Sequence, residues 1–132
     1  MYSRRRVGTL LISSMAVLGL TSALAAAPAG ASTGVSGSVS CVSGNNVEGI
    51  WVSASSGTSG WATMNVPGNT SSYVSWHYTL TSGNSYFVHV GCGGSTNNWA
   101  VNTYSGTKSG NSNGLLCYDT PADGDPYYGQ CR

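Results

Sequence analysis

The clearest signal along this chain is a two-residue alternation of apolar and polar side chains, the period of a half-buried β-strand. It is sharpest over residues 72–80, where Val74, Trp76, Tyr78 and Leu80 share one face and Tyr73, Ser75, His77 and Thr79 the other. Residues 47–55 repeat it, with Ile50, Val52 and Ala54 together against Trp51 and Ser53. Further strands are predicted at 61–66, 85–92, 98–104 and 115–118, with an alternating piece over 35–41. In 85–92, Tyr86, Val88 and Val90 oppose Phe87 and His89, so both faces are largely apolar and the strand is expected to be central. Residues 56–60, Pro67-Gly68-Asn69 and Ser82-Gly83-Asn84 read as turns, and Gly93-Gly94-Ser95 as a break. Residues 105–113 read as a polar loop and 119–130 as a turn-rich tail. No stretch after residue 31 has a helical period of useful length. The pattern predicts an all-β fold, a single antiparallel β-sandwich of six to eight short strands.

The first 31 residues follow a different rule. Arg4, Arg5 and Arg6 precede an uncharged, mostly apolar run over 7–24, and Ala29-Gly30-Ala31 supplies small residues at a cleavage site. That is the pattern of an export signal, expected to be removed after Ala31, with Ala23-Leu24-Ala25 as a second fit. A membrane anchor fits less well, because glycine, serine and threonine dilute a run near the minimum length for a span. The arginines only faintly suggest a twin-arginine signal, so ordinary secretion is expected. The chain is thus divided into a leader (1–31), a flexible N-terminal segment (32–40) and a disulfide-stapled β domain (41–132).

Removing the leader changes the charge. Lys108 and Arg132 remain against Glu48, Asp119, Asp123 and Asp125, a balance of −2 with both histidines neutral. No basic cluster is left for a nucleic acid or an anionic membrane. Serine, threonine, asparagine and glycine supply the polar surface, and Trp51, Trp61, Trp76, Trp99 and several tyrosines supply a core, each able to bury on the order of 200 Å².

All four cysteines, Cys41, Cys92, Cys117 and Cys131, follow the leader. An even number in a small exported domain reads as two disulfides, with three possible pairings. Cys117 and Cys131 flank a turn-rich loop and are paired here, which leaves Cys41 for Cys92. Zinc would need a close pair such as C-x-x-C, which is absent.

Four blocks occur in order: the GIWV strand at 49–52, SGWA at 59–62, HVGCGG at 89–94 and CYD at 117–119. In these the chain resembles a group of small secreted actinobacterial domains sharing G-[VI]-W-V, S-G-W-A, H-V-G-C-G-G and C-[YF]-D, over most of 41–131. The resemblance implies an extracellular or surface module and carries over no catalytic residue.

Candidate chemistry is sparse. G-x-S-x-G is missing, Gly57-Thr58-Ser59-Gly60 being the nearest text. Glu48 is the sole glutamate, which gives no obvious pair of carboxylates for glycoside hydrolysis. Asp119, Asp123 and Asp125 read first as turn residues and second as a weak Ca²⁺ candidate. His77 is expected on a strand surface, and His89 as a hydrogen-bonded core residue. Trp51, Trp61, Tyr73 and Trp99 fall on outward faces or beside loops and are the candidate ligand-binding aromatics, since an exposed ring can stack on a sugar or fill a protein interface. The sequence therefore predicts a secreted, monomeric, non-enzymatic β module without cofactor, binding carbohydrate or cell wall. The alternative is a small secreted hydrolase inhibitor.

Overall fold

A computed structural model describes residues 30–66, 71–121 and 125–132. Most of the leader, the Pro67-Gly68-Asn69 turn and Asp123 lie outside them. Among the described residues the chain is all-β, with ten strands and no helix. In chain order they are β1 (Thr33–Cys41), β2 (Val47–Ala54), β3 (Gly60–Trp61), β4 (Thr63–Asn65), β5 (Tyr73–Leu80), β6 (Ser85–Ser95), β7 (Asn98–Ser105), β8 (Lys108–Ser109), β9 (Ser112–Cys117) and β10 (Gln130–Cys131).

All belong to one hydrogen-bonded path, β3-β2-β6-β7-β10-β9-β1-β5-β4, with β8 added to β6. The two ends of this path are neighbours in sequence. Gly60 and Trp61 pair with β2, Thr63 to Asn65 pair with β5, and only Ala62 lies between, its N–H donating to the Ile50 carbonyl at 2.9 Å. The sheet therefore curls until it is nearly barrel-shaped.

The interior is built from the alternation already visible in the sequence. Ile50, Val52, Val74, Leu80, Tyr86, Val88 and Val90 are fully buried, as are Val35 and Val39 of β1. Trp76 of β5 meets Tyr86 of β6 edge to face across this interior, ring centroids 6.0 Å apart. Trp76 has room because Gly37 stands opposite it on β1; a Cβ there would lie 1.9 Å from the Ser112 carbonyl oxygen and 2.9 Å from Trp76 Nε1. The inward polar residues of β7 are satisfied by β6: Thr103 Oγ1 donates to the Val90 carbonyl at 2.9 Å, and Ser105 Oγ accepts from the Val88 N–H at 3.0 Å.

Both disulfides have the expected pairing. Cys41–Cys92 joins the end of β1 to β6, strands that are not neighbours in the sheet. Cys117–Cys131 bridges a directly opposed pair on β9 and β10. Two disulfides are consistent with an oxidising, extracellular environment.

Several expectations are corrected. Residues 32–40, expected to be a flexible segment, are mostly strand: β1 pairs with β5 on one side and β9 on the other, because its Val35, Gly37, Val39 and Cys41 turn inward. The sheet is mixed and not purely antiparallel, since β1–β9 and β7–β10 run parallel. β6 does not break at Gly93-Gly94 but runs to Ser95, the two glycines adopting left-handed backbone (φ 66° and 86°). β8 and β10 are two-residue strands inside stretches expected to be loop and tail.

Asp119 closes the turn between β1 and β2. It is 3% exposed and accepts hydrogen bonds from the Ser43 hydroxyl, the Ser43 N–H (3.0 Å) and Asn45 Nδ2 (3.1 Å). Burial alone raises its pKa, but these donors outweigh it and hold the carboxyl below the ordinary carboxylate range. A carboxylate lowered in this way contributes stability above about pH 4, which is lost as pH falls through the folded value. Asp119→Asn should therefore unfold at lower urea at neutral pH, and its midpoint should fall less than the parent's between about pH 5 and pH 2. Parallel curves for the two proteins would show that Asp119 is not the titrating group.

Candidate functional site

The outer surface of β2, β3, β6 and β7 carries an unusual density of rings. Outward positions follow from the alternation: where Ile50, Val52, Val88 and Val90 face in, Trp51, Phe87 and His89 face out. The register then sets Trp51 opposite Trp61 of β3 on one side and His89 of β6 on the other, and His89 opposite Tyr104 of β7. Trp99 joins them from the start of β7. Counting from Thr103 would give Trp99 an inward position, yet its indole lies against Gly91 and Gly49 of the outer face.

Two glycines make a bed for the indoles. A Cβ on Gly91 would lie 2.1 Å from Trp99 Cδ2, and one on Gly49 2.9 Å from Trp99 Cζ2 and 3.1 Å from Trp61 Cζ3. Glycine inside a strand costs stability unless something covers it; here the rings of Trp99 and Trp61 do. Trp51 and Trp61 stand 5.2 Å apart at 83°, and Trp61 and Trp99 5.7 Å apart at 83°. These are edge-to-face pairs, the arrangement favoured by aromatic quadrupoles. They form corners, not one flat platform.

Trp61 is the projecting member, 59% exposed, and it separates two recesses. The first, about 400 Å³, lies between Trp61 and Trp99 and is completed by Thr96 and Asn97 of the β6–β7 turn and by Asn98 at the start of β7. The second, about 290 Å³, has Glu48, Ala62 and Met64 beside Trp61, with Thr96 and Asn97 again at its rim. One ring face and side-chain amides within reach of each other can hold the apolar face of a sugar and its hydroxyls together.

Of the four aromatic candidates, the structure brings together Trp51, Trp61 and Trp99. Tyr73 is exposed but stands on β5 opposite Ser40, and it joins none of the ring pairs among the described residues. His89 is not a core residue as expected. It is half-buried on the outer face, 5.2 Å from the Phe87 ring, and its Nδ1 has no hydrogen-bond partner among the described residues. His77 is exposed on β5, as expected for a strand surface. Of the carboxylates considered for Ca²⁺, Asp119 and Asp125 are engaged locally. Asp119 is held by Ser43 and Asn45, and Asp125 accepts from the Tyr127 N–H at 2.8 Å.

Sequence reasoning missed Thr96, Asn97, Asn98, Glu48 and the two glycines. Gly49 and Gly91 did leave a trace, since each interrupts an otherwise large-residue strand. Compared with family models, curated proteins and solved structures, the chain matches none.

Proposed function

We propose that this protein is a secreted, non-enzymatic binding module that takes a carbohydrate, such as a cell-wall or environmental glycan, against Trp61. The observation that carries the reading is the exposure of Trp61 between two recesses that share Thr96 and Asn97. An indole face left in water beside amide side chains suits a ligand with one apolar face and a hydroxyl-rich edge. The export-type leader and the paired cysteines support a place outside the cell. For the fold, we read the curled sheet as a flattened β-sandwich, a reading supported by the Trp76–Tyr86 pair between its β5 and β6 sides.

Trp61→Ala should weaken binding to the preferred polysaccharide at least tenfold, since truncating a tryptophan that anchors a ligand commonly costs about 2 kcal/mol and about 1.4 kcal/mol is tenfold. Tyr73→Ala, away from the recesses, should leave it within about twofold. The check is a pull-down of the oxidised protein with a panel of polysaccharides and peptidoglycan, followed by calorimetry on the binder. Equal loss in both variants would remove the Trp61 site from the reading.

The second reading, a hydrolase inhibitor, is favoured by the loop closed by Cys117–Cys131, on which Tyr127 and Tyr128 are exposed. Secreted hydrolases belong in the same panel. Capture of a hydrolase, abolished by changing Tyr127 and Tyr128 but not Trp61, would replace the glycan reading.

A further inference from the structure

We propose that the sugar taken beside Trp61 carries a free amino group, as in a glucosamine oligomer, and that Glu48 pairs with its ammonium. This rests on the glycan reading above and names the ligand class for it.

The register of β2 slips at one residue. Val47 pairs with Cys92 and Gly49 with Gly91, so Glu48 is an extra residue opposite none, a β-bulge. Strict alternation back from Ile50 would send Glu48 into the core and Val47 outward. The bulge reverses both: Val47 is 3% exposed, and Glu48 joins the wall of the recess behind Trp61. Bulges re-aim side chains in this manner next to binding sites.

The charges around the molecule are distributed to match. Asp119 is enclosed by its own donors and Asp125 serves its turn, so Glu48 is the carboxylate at the aromatic surface among the described residues. The basic residues described there, Lys108 and Arg132, both line a different recess, with Tyr104 and Gln130. Among the described residues, no lysine or arginine lines the recess with Glu48. An ammonium beside Trp61 would gain from the ring face as well as from the carboxylate. The Ala62 and Met64 side chains suit the carbon face of a hexose, and Thr96 and Asn97 its hydroxyls. Those two polar groups favour an amino sugar over a quaternary ammonium or a lysine side chain, which has no hydroxyls to offer them.

The test is calorimetric titration of the oxidised protein with glucosamine oligomers and with their N-acetylated counterparts of equal length. The free-amine oligomers should bind about tenfold more tightly, and raising salt to about 0.5 M should shrink the difference, as for a partly exposed ion pair. In Glu48→Gln the two affinities should converge, with thermal unfolding reported alongside to show that the variant is folded. The salt dependence of the parent protein tests the same claim without any variant. Equal affinities in the parent protein, or a preference that survives Glu48→Gln, would overturn the amino-sugar inference and leave the glycan reading standing. Binding of choline or lysine peptides in place of sugars would overturn both, as would a failure to bind any glycan.

Discussion

Replacing Cys41 and Cys92 together by alanine is expected to lower the free energy of unfolding by about 4 kcal/mol, the chain-entropy value for a closed loop of this length. The bridge spans a sequence separation of 51 and joins strands that do not hydrogen-bond to each other. No ladder compensates for its loss. Cys92 is fully buried and Cys41 nearly so, and the Asp119 carboxylate lies within 4.8 Å of the two sulfurs, so the turn it anchors stands on the same support. Net stabilities of small domains are about 5–15 kcal/mol. A loss of this size removes a large share of such a stability and should lower the urea midpoint steeply. Breaking Cys117–Cys131 should cost less, about 3 kcal/mol, because β9 and β10 remain hydrogen-bonded around it and its loop is shorter. Urea denaturation of the two double variants gives the comparison, and a smaller loss at Cys41–Cys92 would contradict the account of how the sheet is tied.

Trp76→Ala should be similarly damaging, about 3–5 kcal/mol, for a different reason. The indole is 2% exposed and fills the space that Gly37 leaves opposite it, with Tyr86 against its edge. Alanine would leave a void between two backbones that the sheet cannot easily close. Trp76→Phe separates volume from polarity. Trp76 Nε1 is buried without a hydrogen-bond partner among the described residues, so phenylalanine forfeits no bond there and removes an unsatisfied donor. Its cost should be no more than about half that of alanine. A phenylalanine variant as unstable as the alanine one would mean that the indole N–H is bonded after all.

How much of this was legible in the residues depends on what set each feature. The inward faces of β2, β5 and β6 could be read directly, because burial selects one residue in two and Ile50, Val52, Val74, Trp76, Val88 and Val90 keep that rhythm. The disulfide pairing was legible because Cys117 and Cys131 flank a turn-rich loop, which left Cys41 for Cys92. β1 was only partly legible: Ser36, Gly37, Ser38 and Ser40 lend it the composition of a linker, and pairing with strands distant in sequence made it a strand. The parallel pairings of β9 and β10 depend on chain crossings that no local pattern encodes. At the candidate site, Trp51, Trp61 and Trp99 could be singled out one at a time, but their meeting depended on register. Glu48 was hidden by a single inserted residue, since one bulge inverts the facing of all that precedes it. Tyr73 matched its neighbours in type and exposure and was separated from them only by topology.

The junction at Ala62 has a consequence for solubility. An open sheet ends in two rows of unused amide and carbonyl groups, onto which another molecule can add its own strand. Charged side chains commonly discourage such growth, and this chain has few of them. Here the terminal strands of the path are halves of a single stretch, spent on β2 at one end and on β5 at the other. With less border for a second molecule to extend than an open sheet would offer, edge-to-edge growth is disfavoured even where few charges oppose it.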